Sequence, residues 1–319
     1  MIEGLAITPP ILGRIAIGKV VERNGIRLPE KDDEFTLTSL VQNRDGWVRH
    51  PLDECLRKAS TEKKLRSIPV RLLFADPDLN LRAQYTAFNR SNGRTVCAGN
   101  GQTCKRSMAE GLTSQPCPAP EHCALGGSLG CKPYGRLNVQ IEGQDALGSF
   151  IFRTTGYNSI RTLAARLSYF RALAGEALPC LPLSLKLRAK STTQSHRAAV
   201  YFVDLVVREG LTLEAALLQA REEAEARKSQ GWNQAALEQA ALAGLANGAF
   251  EDSEEEAPAV VEEFYAEPAM QSPATSVAAR HAAAKQAAVS PRDASTRLSL
   301  ADKLHAKAVA QEAPALSVT

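Results

Sequence analysis

The chain has no run of apolar residues near the roughly 18 that a membrane helix needs. Its start, Met1-Ile2-Glu3-Gly4-Leu5, lacks the basic-then-apolar pattern of an export signal. A cytoplasmic protein with no membrane partner is expected, in a compartment where thiols stay reduced. Histidine is scarce: the five residues His50, His122, His196, His281 and His305 are widely spread and form no H-E-x-x-H pair. The helical zinc-hydrolase site is therefore missing. So are the deaminase pattern H-x-E…P-C-x-x-C and the phosphate loop G-x-x-x-x-G-K-[ST]. Gly99-Asn100-Gly101 is glycine-rich but has the wrong spacing for that loop, and reads as a turn. There is no internal repeat, and no paired C-x2-C knuckle.

Against these absences stands a concentration of cysteine. Five of the seven lie between residues 97 and 131. In a reducing compartment such a group reads as metal ligands before it reads as disulfides. Cys97, Cys117, Cys123 and Cys131, separated by 19, 5 and 7 residues, have the placement of a closed structural site. Zinc takes four soft or borderline donors in a tetrahedron, and four thiolates supply them. The surrounding glycines and prolines leave little apolar surface, so a metal would serve where a core cannot form. Cys104 and His122 are spare candidates, and free thiols in a loop are the plain alternative. Glu121 is the only acidic residue close to the last three cysteines, which leaves a catalytic metal with little support and favours a non-enzymatic protein without a small-molecule substrate.

The net charge of +3 hides an asymmetry. Residues 249–319 hold eleven acidic and six basic side chains, leaving 32 basic and 24 acidic in residues 1–248. A basic folded part suits a nucleic acid or a nucleic-acid-binding partner. Arg153 to Arg161 joins a strand to a helix N-terminus, where free amides and the dipole favour phosphate. Lys186, Arg188 and Lys190 alternate on one strand and lead into a polar turn with His196 and Arg197. Arg153, Arg161, Lys186, Arg188, Lys190, His196 and Arg197 are the candidate DNA contacts. The alternative is a solvated strand face.

The pattern predicts an α+β fold with a mixed or antiparallel sheet. Short strands are expected at 11–16 and 34–39, separated by a Gly/Pro/charged loop, and further strands at 70–74, 84–88, 136–141 and 149–152. Asn158 is placed to cap a helix ending at Gly175. Strands at 182–188 and 199–208 follow, then a helix capped by Thr212 and an Ala-rich helix fading by Gly248. The expected parts are a zinc-binding domain over 1–210, a helical extension over 211–248, and a disordered acidic, Ala-rich tail over 249–319.

Several runs carry a resemblance. They are Gly13 to Gly18, Asp33 to Ser39, the Cys131-Lys132-Pro133-Tyr134-Gly135-Arg136-Leu137-Asn138-Val139 step, and Gly148 to Ser159. Over roughly residues 11–210 the chain resembles the recombination directionality factor-like family, accessory proteins of phages and other mobile elements that act with serine integrases. It is similar as well to a bacterial branch described only as hydrolases or metal-binding proteins, which shares the runs 153–166 and 181–208. The resemblance implies a non-catalytic regulator that binds an integrase on DNA and biases recombination towards excision. The chain departs from the phage factors in Cys104, in the helices after 210 and in the tail. Two further readings stay open: a nucleic-acid-binding accessory protein with no integrase partner, and a metal-dependent hydrolase using an acid such as Glu121.

Overall fold

The computed structural model describes residues 4–5, 9–23, 26–43, 46–60, 64–143, 148–191, 193, 199–250 and 264. In chain order the first strands are β1 (Gly4–Leu5), β2 (Ile11–Arg23), β3 (Ile26–Asn43), β4 (Gly46–Arg49), β5 (Ser67–Arg71), β6 (Leu81–Phe88) and β7 (Thr95–Gly99). They continue as β8 (Thr103–Met108), β9 (Gly111–Pro116), β10 (Lys132–Ile141), β11 (Ser149–Thr154), β12 (Leu183–Ser191), β13 (Ala199–Val207) and β14 (Gly248–Phe250). The helices are α1 (Pro51–Ala59), α2 (Pro77–Asn80), α3 (Ala124–Leu129), α4 (Tyr157–Ala174), α5 (Leu213–Ser229) and α6 (Gln234–Asn247). None of the described helices is long and apolar enough to cross a membrane.

The fold is α+β on a mixed sheet. One path runs β4-β3-β2-β11-β10-β6-β7-β8-β9, and β5, β12 and β13 branch from the far end of β10. All of these pairings are antiparallel except β11 with β2. Alternation sorts the two faces. On β10, Leu137, Val139 and Ile141 enter the main core, beside Phe150 and Phe152 of β11 and Phe35 and Leu37 of β3. The alternate residues Tyr134, Arg136 and Asn138 take the opposite face. Helix α4 covers the core with Leu163, Leu167 and Phe170, as its helical spacing predicts, and α5 adds Ala216 and Ala220 to the same core.

Several expectations need correction. The stretch read as a loop between the first two strands is instead a long hairpin, with pairing that continues from Lys19↔Glu30 to Arg23↔Ile26. Pro29 is tolerated because β4 pairs with β3 only from Thr38 to Asn43, leaving Pro29 on the edge side. The N-cap of helix α4 lies two residues earlier than expected: it is Gly156, without a side-chain bond, and Asn158 Oδ1 instead accepts from Lys190 Nζ at 2.7 Å. Thr212 does cap α5, accepting from the Ala215 amide at 3.2 Å. Residues 268–319 and nearly all of 251–267 lie outside the described residues, and so does the expected disorder of the tail.

Candidate metal centre and basic sheet face

The cysteine region is sheet rather than loop. β7, β8 and β9 form an antiparallel meander hung on the end of β6. The β7–β8 turn is closed by Asn100, whose Oδ1 accepts from the Gln102 and Thr103 amides at 2.9 Å each, with Gly101 at φ +93°. A 3-10 turn (Pro120–His122) and α3 then lead back to β10.

This arrangement gathers the five thiols. Cys97 lies on β7 and Cys104 on β8, both buried, and they pack with Ala87 of β6. Cys117 follows β9, and Cys131 precedes β10. These two, with Leu129, close the same cluster. Cys123 caps α3, and an Arg106 guanidinium nitrogen lies 3.8 Å from its sulfur. Two glycines make the space. A Cβ on Gly99 would stand 2.6 Å from Cys104 Cβ and 3.0 Å from Cys117 Sγ, and one on Gly126 would stand 3.1 Å from Cys123 Cβ.

The electrostatics agree with the packing. Burial first, then hydrogen bonding to Cys97 and the charge of Cys97 and Cys117, pushes the Cys104 thiol up to about 11. Burial pushes Cys131 up to about 12, with the other four cysteines adding to it. Arg106 is held more firmly protonated, chiefly by its hydrogen bond to Cys97. Cys104 thus reads as a protonated thiol whose sulfur lies 3.8 Å from the Pro116 carbonyl oxygen, and Arg106 as the cation beside the cluster. Among the described residues no three His, Cys, Asp or Glu side chains already enclose a metal position. Thiols are donors of the kind that zinc takes.

The opposite face of the same strands is cationic, which the sequence reading missed. Arg136 of β10 stands directly across from Arg82 of β6 and from Arg153 of β11. Directly opposed residues share a face, so three guanidinium groups form a row across three strands. Arg14 on β2 continues it through its pairing with Ile151, and its guanidinium lies 4.0 Å from the Trp47 ring centre. At the β6 and β10 ends this face carries Phe88, Tyr134 and Lys132. The period-two placement of Tyr134 and Arg136 is visible in the sequence; the register that aligns them with Arg82 and Arg153 is not.

Of the contacts proposed from sequence, Arg153 belongs to this row and Arg161 is exposed on α4. Lys186 pairs with Glu209 at 2.5 Å. Arg188 reaches buried Asp204 at 3.3 Å, and Arg166 holds the same carboxylate at 3.0 Å. Lys190 bonds Asn158, so the strand's cations are engaged within the chain. His196 and Arg197 lie outside the described residues.

No curated protein and no solved structure matches the chain. A match to the Gp3-like, recombination directionality factor-like family covers residues 12–208. That span takes in the central sheet, the thiol cluster, the arginine row and α4, and the chain belongs to this family.

Proposed function

We propose that the protein is a zinc-stapled, non-catalytic regulator of DNA recombination that acts with a serine integrase on DNA. Family membership supports the role in recombination. The observation that carries the zinc reading is the convergence of five thiols from β7, β8, the end of β9, the start of α3 and the start of β10. Cys97, Cys117, Cys123 and Cys131 would hold the ion, with Cys104 standing as the rival ligand. A zinc bound by four thiolates offers no open position and supplies cross-linking rather than catalysis. The regulator itself needs only different affinities for two arrangements of an integrase–DNA complex. The excess of basic over acidic residues in 1–248, 32 against 24, favours direct contact with the DNA backbone as part of that task.

The test has two arms. Purified protein should contain one zinc per chain, lost on replacing Cys97, Cys117, Cys123 or Cys131 by Ser and retained with Cys55→Ser, since Cys55 is exposed and outside the cluster. Loss of zinc with Cys104→Ser as well would enlarge the ligand question without touching the site. Excision by the cognate serine integrase should require the protein. An integration-to-excision ratio that is the same with and without it refutes the regulatory reading.

A further inference from the structure

The sheet path ends in a strand that nothing blunts. Among the described residues β9 pairs with β8 alone, and the ladder runs from Met108↔Gly111 to Thr103↔Pro116 without a bulge. Open sheet edges invite pairing with another strand, and proteins guard them with charge, brevity, bulges or covering groups. The other two edges of this sheet are guarded. β4 has four residues, carries Arg49 and pairs with β3 through a register shift. On β13 the Val203 amide donates to Ser159 Oγ of α4 at 3.1 Å, and Asp204 places a charge in the strand. β9 reads Gly-Leu-Thr-Ser-Gln-Pro, has no charged side chain, and exposes five of its six residues.

The hydrogen-bond phase of β9 fixes what its outer edge offers. The Cys117 amide donates to the Gln102 carbonyl at 2.8 Å. Antiparallel ladders alternate, so Gln115, Thr113 and Gly111 turn their backbone groups to β8, whereas Leu112 and Ser114 turn theirs outward. Pro116 falls in the outward set, where its missing N–H takes nothing from the β8 ladder. We propose that this edge is a dimer interface, on which β9 pairs antiparallel with β9 of a second copy of the chain. A two-fold axis through Thr113 opposes Leu112 to Ser114 of the second copy, and each such pair exchanges both of its backbone hydrogen bonds. Thr113 then faces Thr113, a cross-strand pair that sheets favour, and the two Leu112 side chains become diagonal neighbours on one face. Each Leu112 is 43% exposed in the single chain, and Met108, 53% exposed, lies on the Thr113 face beside the Gly111–Gln115 pairing. Charge favours a second copy as the occupant. A two-fold ladder sets a strand against itself, so a charged β9 would bring like charges together, and this strand has none. Such an interface is isologous and closes at two copies. It is short, burying less than roughly 1,200 Å², which suits a dissociation constant of about 10 µM. The pairing needs neither the metal nor an integrase.

The experiment is sedimentation equilibrium of the full chain from about 1 to about 200 µM, which should show a monomer–dimer equilibrium near 10 µM. Hydrogen exchange then reads where the copies meet. The outward Leu112 and Ser114 amides should slow as protein concentration rises, whereas the Thr113 amide, turned to β8, should not change. Ser114→Pro removes an outward N–H and leaves the β8 ladder intact. Leu112→Lys keeps every backbone group and brings two cations together across the axis. Each should raise the dissociation constant by at least about tenfold, with thermal unfolding confirming that the variant is folded. If the proline variant does not fold, Leu112→Lys decides. A chain that stays monomeric at about 200 µM overturns the proposal. So does a dimer that Leu112→Lys leaves equally tight, or one whose Leu112 and Ser114 amides exchange at the same rate at every concentration. Assembly that continues past two copies overturns the two-fold closure.

Discussion

Gly99→Ala is the sharpest probe of the thiol cluster, because it adds one methyl group without removing a donor. Gly99 is not in the left-handed region, so the backbone itself tolerates alanine. The new Cβ, however, would meet Cys104 Cβ at 2.6 Å, the Thr103 carbonyl oxygen at 2.8 Å and Cys117 Sγ at 3.0 Å. The first two belong to the neighbouring strand, directly paired at Gly99↔Cys104, and cannot swing aside as the tip of a long side chain can. β7 and β8 must separate, or Cys117 must leave. Overpacking of this kind costs about 1–3 kcal/mol. If that cost falls on the zinc-bound state, affinity weakens by roughly 5- to 150-fold. Gly127→Ala is the matched control: it lies in α3 with nothing within 4 Å of its Cβ, and should be neutral or slightly stabilising. Zinc affinity is measured by competition with a chromophoric chelator. Equal affinity for Gly99→Ala and the parent protein would refute the placement of the ion among these thiols.

Other consequences can be checked independently. Asn80 is fully buried. Its Oδ1 accepts from the Leu73 and Phe74 amides at 3.1 Å, and its Nδ2 donates to the Phe74 and Asp76 carbonyls at 2.8 and 2.9 Å. Asn80→Ala leaves the buried Phe74 amide and the part-buried Leu73 amide without this acceptor, at about 1–3 kcal/mol for a buried one, and should lower the melting temperature by more than about 5 °C. His50 caps α1 through Nδ1, which accepts the Leu52 amide, and burial lowers its pKa from 6.5. The fold favours the neutral ring, so this contribution is whole above 6.5 and is lost as pH falls through the lower folded value. His50→Asn keeps a capping acceptor without the titration, and should narrow the melting-temperature gap between about pH 7.5 and about pH 5.5. Arg188 and Lys190 are held within the chain by Asp204 and Asn158, so Arg188→Ala and Lys190→Ala should leave the salt slope of duplex binding unchanged, whereas a slope reduced by about one returns β12 to the interface.

What was legible in the sequence follows from how local each cause is. Arg136 to Ile141 alternates and is a strand; Ile160, Leu163, Leu167 and Phe170 recur at helical spacing and face the core. Both patterns are written within a dozen residues. The meander was hidden because Thr95–Gly99 and Thr103–Met108 carry small and polar residues, and the glycines between them read as loop. Its strands persist through backbone pairing, β7 with β6 and β8 with β7, and bury few side chains of their own. The cysteine set was legible as composition, whereas the place of Cys104 inside it depends on the β7–β8 register. The arginine row was not legible at all, since Arg82, Arg136 and Arg153 are 54 and then 17 positions apart and meet only through two separate ladders.

That register sets the two sites back to back. Ala87 faces the thiols while Phe88, the next residue, faces an aromatic slot formed with Tyr134 and Phe264. Cys131 belongs to the thiols, and Lys132 and Tyr134 just beyond it line the slot. The meander has little else to hold it: β8 buries only Cys104, and β9 buries no residue. A metal that joins Cys97 to Cys131 therefore ties β7 to the start of β10 across β6, and fixes the spacing of Phe88 and Tyr134 on the other side. On the zinc reading, treating the protein with a chelator should then raise amine labelling of Lys132, while the core around Leu137 and Phe150 keeps its slow amide exchange. Lys132 that stays protected after the metal has left would show that the slot is held by its own rings, and that the staple serves the meander alone.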